Sequence, residues 1–140
     1  MKKSPEMQAE TTYLAVLGRV LAQKRKRLGR EWDQARAARQ AGISRSTWSR
    51  LENGESAPDA IQLAQIADMF GTTAPEFLAE VERVCDGLRK RGVKVHMEKQ
   101  KKTSVAGGIG LALLGTAALA GIAAAVLAAD DSDETKNKEE

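Results

Sequence analysis

Apolar residues along this 140-residue chain follow two regimes, helical periodicity up to about residue 91 and an unbroken apolar run nearer the C-terminus. Leu14, Leu17, Leu21 and Leu28 recur at helical spacing with Val20 beside them, which predicts an amphipathic first helix ending near Gly29. Asp33 is placed to cap a second helix, Gln34 to Ala41, and Gly42 follows where a residue of positive φ ends it. Ser44 caps a third helix from Arg45 to about Glu52, and Asn53-Gly54 closes it. Two short helices only three residues apart must cross steeply. Pro58 opens a fourth helix, Asp59 to Phe70, whose buried face is Ile61, Leu63, Ile66, Ala67 and Phe70 and whose end is Gly71. A fifth begins near Pro75, with Leu78, Val81, Cys85 and Leu88 at near-heptad spacing, a stripe that serves as core or as a self-association seam. Gly92 breaks it. Val93, Val95 and Met97 then alternate with Lys94, His96 and Glu98, a pattern too short to stand alone as a strand, so it is a connector or pairs with a partner chain.

The apolar run, Ser104 to Ala129, holds 26 residues without one ionisable side chain. At about 1.5 Å per residue a helix of that length reaches roughly 39 Å, more than the ~30 Å hydrocarbon core of a bilayer. Nine strong apolar residues among ten Ala and five Gly contribute to insertion, on the order of −3 to −5 kcal/mol. A transmembrane helix is the expectation; an Ala-rich helix buried in a soluble oligomer is the alternative. Gly108, Ala112, Thr116, Ala120, Ala124 and Ala128 form a row at four-residue intervals, with Ala117, Gly121, Ala125 and Ala129 as a second row beside it. Such rows let two membrane helices approach closely, so a homodimer is expected.

Charge sharpens this organisation because it sits in blocks. Residues 14 to 50 carry ten Lys/Arg against Glu31 and Asp33; residues 51 to 86 carry eight acids against Arg83; residues 87 to 103 carry seven Lys/Arg against Glu98. The third block (Arg89, Lys90, Arg91, Lys94, Lys99, Lys101, Lys102) abuts the apolar run, while the far side offers only Lys136 and Lys138. That asymmetry keeps the N-terminal domain in the cytoplasm, in a single pass of the inner (cytoplasmic) membrane. The first apolar stretch, Tyr13 to Ala22, is interrupted by Arg19 and followed by Lys24 to Arg27, unlike a secretory signal. Cys85 is the only cysteine, so no intramolecular disulfide forms and a buried thiol is expected. The chain therefore divides into a mobile arm (1–12), a helical domain (13–91), a basic juxtamembrane connector (92–103), a transmembrane helix (104–129) and a charged, disordered tail (130–140). The fold class is all-α.

A helix-turn-helix that reads DNA requires a small residue where its two helices cross, a glycine at the turn, and apolar residues that lock the second helix on the first. Ala38, Gly42, and the set Ile43, Trp48 and Leu51 supply these. The stretch Gln34-Ala35-Arg36-Ala37-Ala38-Arg39-Gln40-Ala41-Gly42-Ile43-Ser44-Arg45-Ser46-Thr47-Trp48-Ser49-Arg50-Leu51-Glu52-Asn53-Gly54 closely resembles the Cro/cI-type (XRE) family of phage repressors and bacterial regulators. The resemblance runs from about Leu17 to Leu78, including Leu17-Gly18, the Leu-Glu-Asn-Gly turn, Pro58 and the Leu63/Ile66-Ala67/Phe70-Gly71 pattern. It implies a five-helix domain that binds double-stranded DNA, commonly as a dimer on paired half-sites. By the same resemblance Ser44, Arg45, Ser46, Ser49 and Arg50 face base edges, and Arg45 and Arg50 are suited to guanine O6 and N7. Gln34 and the amides around Asn53-Gly54 hold the DNA backbone, and Arg25 pairs with Glu52 structurally. Three departures stand out. Arg30-Glu31-Trp32-Asp33 makes the connection into the second helix two residues longer than usual, Trp48 replaces the usual Ile or Val, and Ala37 replaces the usual Leu. A large residue beside a small one conserves core volume.

The leading reading is a membrane-anchored, sequence-specific DNA-binding transcription regulator of repressor type, since residues 14 to 50 carry a net charge of +8. The alternative is a membrane-anchored adaptor whose helix-turn-helix fold binds a protein partner, in the layout of the anchored adaptors of the bacterial rod-shape cytoskeleton. Those have a substantial domain beyond the membrane, where this chain has eleven residues. A small pore-forming or toxin-like role for the span is a lesser alternative. No nucleophile and base pair, metal-ligand cluster or phosphate-binding glycine loop is present, so neither catalysis nor a cofactor is expected. His96 has no ligand partner at metal spacing and is expected to be solvated.

Overall fold

Local capping signals place the helices, as a computed structural model that describes residues 9–97 makes visible. Helix α1 spans Tyr13–Arg27, α2 Gln34–Ala41, α3 Arg45–Glu52, α4 Ala60–Met69 and α5 Ala74–Lys90. Each starts on a short polar side chain that accepts a first-turn amide otherwise left without a partner: Thr12, Asp33, Ser44, Asp59 and Thr73. At α4 the Gln62 side chain also accepts from the Asp59 amide, completing a reciprocal capping box. Gly42 ends α2 at φ 73°, a left-handed conformation that a Cβ would strain.

The core draws on every helix. Val16, Leu17, Val20 and Leu21 of α1 meet Ala37, Ala38 and Ala41 of α2, Trp48 and Leu51 of α3, Ile66 and Ala67 of α4, and Phe77, Val81, Val84, Cys85 and Leu88 of α5. Trp48 and Ala37 are both fully buried, so the large and small departures from the family pattern share one core. Val81, Cys85 and Leu88 are spent on this core, which removes the stripe on α5 as a self-association seam. Phe77 is the largest side chain that α5 buries.

The fold is not purely helical. Strand β1 (Glu10–Thr12) pairs in parallel with β2 (Lys94–His96), in the register Glu10↔Lys94, Thr11↔Val95 and Thr12↔His96. This corrects two expectations. Residues 10–12 of the supposed mobile arm are tied down, with Thr11 and Thr12 buried and Thr12 capping α1. The segment after Gly92 is not a free connector: Val93 is buried in the core, and 94–96 pair with the chain's own N-terminal strand. His96 is half-exposed, with Nε2 3.4 Å from a Glu10 carboxylate oxygen across the strand pair.

The buried face of α4 also differs from expectation. Ile66 and Ala67 are buried, Leu63 and Phe70 half-buried, but Ile61 is 71% exposed. Two residues before Leu63 on a helix of 3.6 residues per turn lies roughly 160° around the axis, on the opposite side. Leu28, at the end of α1, is likewise exposed. Among the described residues no helix is long and apolar enough to cross a membrane. The expected span at 104–129 and the tail at 130–140 lie outside the described residues.

Candidate nucleic-acid interface

Glu52, the last residue of α3, gathers side chains from α1, α2 and α3. Its Oε1 accepts from Arg25 Nε at 2.6 Å and from Trp48 Nε1 at 2.8 Å; its Oε2 accepts from Gln34 Nε2 at 2.7 Å and Arg25 Nη2 at 3.3 Å. Arg25 Nη1 also donates to the Trp32 carbonyl at 2.9 Å, so the same guanidinium ties down the loop entering α2. Burial pushes the Glu52 carboxyl pKa up, but the hydrogen bonds from Arg25, Gln34 and Trp48, with the Arg25 charge, outweigh it and hold the group below its ordinary 4.5. Glu52 therefore stays ionised and locks α1, α2 and α3 in one arrangement.

The close packing of α1, α2 and α3 rests on small residues. Ala37, Ala38 and Ala41 form the buried face of α2. On α1, a Cβ at Gly18 would fall 2.4 Å from the Glu52 carbonyl oxygen and 2.5 Å from that of Leu51, so α1 and the end of α3 approach too closely for any larger residue. Gly54, at φ 71°, sits as tightly, its would-be Cβ 2.8 Å from Ala15 Cα.

With α3 held this way, Trp48 and Leu51 face inward, while Arg45, Ser46 and Arg50 are exposed and Ser49 is half-buried beside them. Arg45 and Arg50 are exposed, and among the described residues neither joins an ion pair, so both guanidinium groups face solvent. Ser44 is exposed but engaged in capping: its Oγ accepts from the Thr47 amide at 3.1 Å and donates to Thr47 Oγ1 at 2.8 Å. Having given its one proton to Thr47, it can only accept from Ser46 Oγ, 3.1 Å away. Ser44 thus orders the leading turn of α3. Asn53 is exposed at the other end, as the residue that closes α3.

One site expectation shifts, and two exposed arginines join the picture. Gln34, assigned by resemblance to the DNA backbone, has its side-chain nitrogen committed to Glu52, which makes it first a positioning residue. Arg36 and Arg39, unassigned from the sequence, are exposed on α2. Their signal was present in the inward set Ala37, Ala38 and Ala41, whose complement on a helix is 36, 39 and 40. Among the described residues no group of His, Cys, Asp or Glu is placed to hold a metal ion.

This arrangement of two short crossed helices, a glycine turn and a solvent-facing second helix is a helix-turn-helix. Residues 16–80 match the family described as helix-turn-helix domain, a stretch that runs from within α1 into α5. No curated protein and no solved structure matches the chain.

Proposed function

We propose that this protein is a membrane-anchored, sequence-specific DNA-binding transcription regulator of repressor type, with α3 as the reading helix. The observation that carries the reading is the combination of a rigidly held α3 with Arg45, Ser46 and Arg50 exposed along it. Arginine at such positions makes bidentate contacts to guanine in the major groove, and the net charge of +8 over residues 14 to 50 favours a polyanion. Ser44, Ser49 and Asn53 complete the contact surface. Binding is as a homodimer on a near-palindrome with half-sites about one helical turn apart.

The anchor is the 26-residue run at 104–129, supported by its length, its lack of ionisable groups and the seven Lys/Arg that precede it. The reader then works at the cytoplasmic face of the inner membrane, and the small-residue rows of the span reinforce the dimer. Localisation of a fluorescent fusion, run in parallel with genome-wide DNA occupancy of wild type and an Arg45→Ala/Arg50→Ala variant, tests both halves. A membrane-rim signal with discrete occupied sites that the variant loses is expected. Rim localisation without occupied sites would favour the adaptor function, and a diffuse signal would remove the anchor. Unchanged association of an Ala120→Leu/Ala124→Leu variant in a membrane two-hybrid assay would remove the packing role of the span.

A further inference from the structure

The loop that enters α2 carries a second feature. The Arg36 guanidinium carbon lies over the Trp32 ring, 4.4 Å from its centre, and the backbone carbonyl of Trp32 is held by Arg25. Asp33 between them accepts from the Arg36 amide at 2.8 Å through Oδ1, the oxygen that caps the helix. The geometry points to Trp32 and Arg36 as a pre-organised clamp for a DNA phosphate, with Arg36 as the contacting residue and Trp32 as the positioning one. The inference rests on the DNA-reading function proposed above.

Three observations support it. The guanidinium is held over the ring by cation–π attraction, and among the described residues no acceptor takes its side-chain N–H groups, which remain for phosphate oxygens. Arg36 is exposed, so holding it on the indole in advance removes part of the side-chain entropy that binding would otherwise cost. The third concerns position. Gln34, in the first turn of α2, bonds to Glu52, the last residue of α3, so this end of α2 abuts the C-terminal end of the reading helix. Eight residues of α3 span about 12 Å, close to the ~12 Å width of the major groove. With Ser44 to Arg50 along the bases, the end of α3 at Glu52 and the clamp held against it fall at the phosphate wall of the groove. Because Arg25 bonds both the Trp32 carbonyl and Glu52, clamp and reader move as one unit.

The longer connection into α2, with Trp32 inside it, acquires a purpose in this reading: it supplies the ring on which Arg36 rests. A phosphate contact reads no sequence, so losing it weakens all DNA alike, whereas losing a base contact weakens the preferred site selectively. The experiment is a salt titration of binding, with full-length protein in detergent, to a preferred site taken from the occupancy map and to a scrambled duplex. Arg36→Gln, Trp32→Leu, Trp32→Phe and Arg45→Ala are compared with wild type. Arg36→Gln should lower affinity for both duplexes by about five- to tenfold near 0.1 M salt and reduce the slope of log K against log salt by about 0.9. Trp32→Leu should weaken both duplexes in the same unselective way, and Trp32→Phe should restore wild-type affinity. Arg36 is exposed and its replacement leaves the core intact, so that variant remains decisive even where Trp32→Leu unfolds. An unchanged slope and affinity in Arg36→Gln, while Arg45→Ala loses selectivity, overturns the clamp and leaves the reader standing. Absence of salt-dependent binding by wild type overturns both.

Discussion

Removing Arg25 tests whether Glu52 is the point on which the motif is fastened. The Arg25 and Glu52 side chains are only 13% and 6% exposed, so the pair is far from a surface ion pair. An Arg25→Ala change leaves a shielded carboxylate with two neutral donors, Gln34 and Trp48, and breaks the tie to the Trp32 carbonyl. Losing one member of a buried pair costs about 3–5 kcal/mol, and the two surviving hydrogen bonds argue for the lower end, about 3 kcal/mol. Against a total stability of about 5–15 kcal/mol that is a large share, and for a domain of this size it lowers Tm by roughly 12–24 °C. The pH dependence has a definite sign. The Glu52 carboxyl is held below 4.5 in the fold, so its contribution is present above the unfolded value and is lost as pH falls through the folded one. Without Arg25 the effect of burial is less opposed and the carboxyl shifts upward. The deficit of the variant is therefore widest at neutral pH and narrows in acid. Urea denaturation of the full-length protein in detergent, followed by tryptophan fluorescence at pH 7 and pH 4, measures both. A cost under about 0.5 kcal/mol at pH 7, in the range of exposed ion pairs, or a deficit that widens in acid, would refute the reasoning.

Gly18→Ala places a methyl group against two backbone carbonyl oxygens of α3, those of Leu51 and Glu52, which neither helix can relieve by rotating a side chain; a loss of about 3 kcal/mol, the upper end for overpacking, is expected, and a wild-type melting curve would contradict the close approach. Cys85 is fully buried and its thiol pKa is pushed up to about 11 by that burial, with Arg89 opposing and Glu82 and Asp86 adding to it. Its reaction with a thiol reagent at pH 8 should be slower in the native protein than in urea by on the order of a hundredfold, and equal rates would place the thiol in solvent. Tyr13 is the chain's only tyrosine, and burial, then the charge and hydrogen bond of Glu82, raise its pKa to about 12. Phenolate absorbance should appear only as pH approaches 12. Because the folded value lies above the unfolded 10.0, the contribution of Tyr13 is complete below pH 10 and lost between 10 and 12, a loss that Tyr13→Phe removes. Phenolate formation complete by pH 10.5 would be the contrary result.

Much of the domain was legible because helix starts and stops are local events. Asp33, Ser44 and Gly42 act on amides and φ angles within three residues of themselves, so α2 and α3 could be bounded from the sequence alone. The solvent face of α3 came from the resemblance rather than from any one segment's period, and the structure agrees with it in turning Trp48 and Leu51 inward and Arg45 and Arg50 outward. Tertiary structure decided the rest. The pairing of Glu10–Thr12 with Lys94–His96 joins segments 84 positions apart, and neither three-residue strand carries enough pattern to announce itself. Ile61 looked like core because it is apolar, yet the rotation of α4 about its axis is set by what α5 and α2 offer it, and that turned Ile61 to solvent. Glu52 was visible as half of an ion pair. That Gln34 and Trp48 also converge on it, and that Arg36 rests on Trp32, depends on where three helix axes cross, a quantity written in no single segment of the chain.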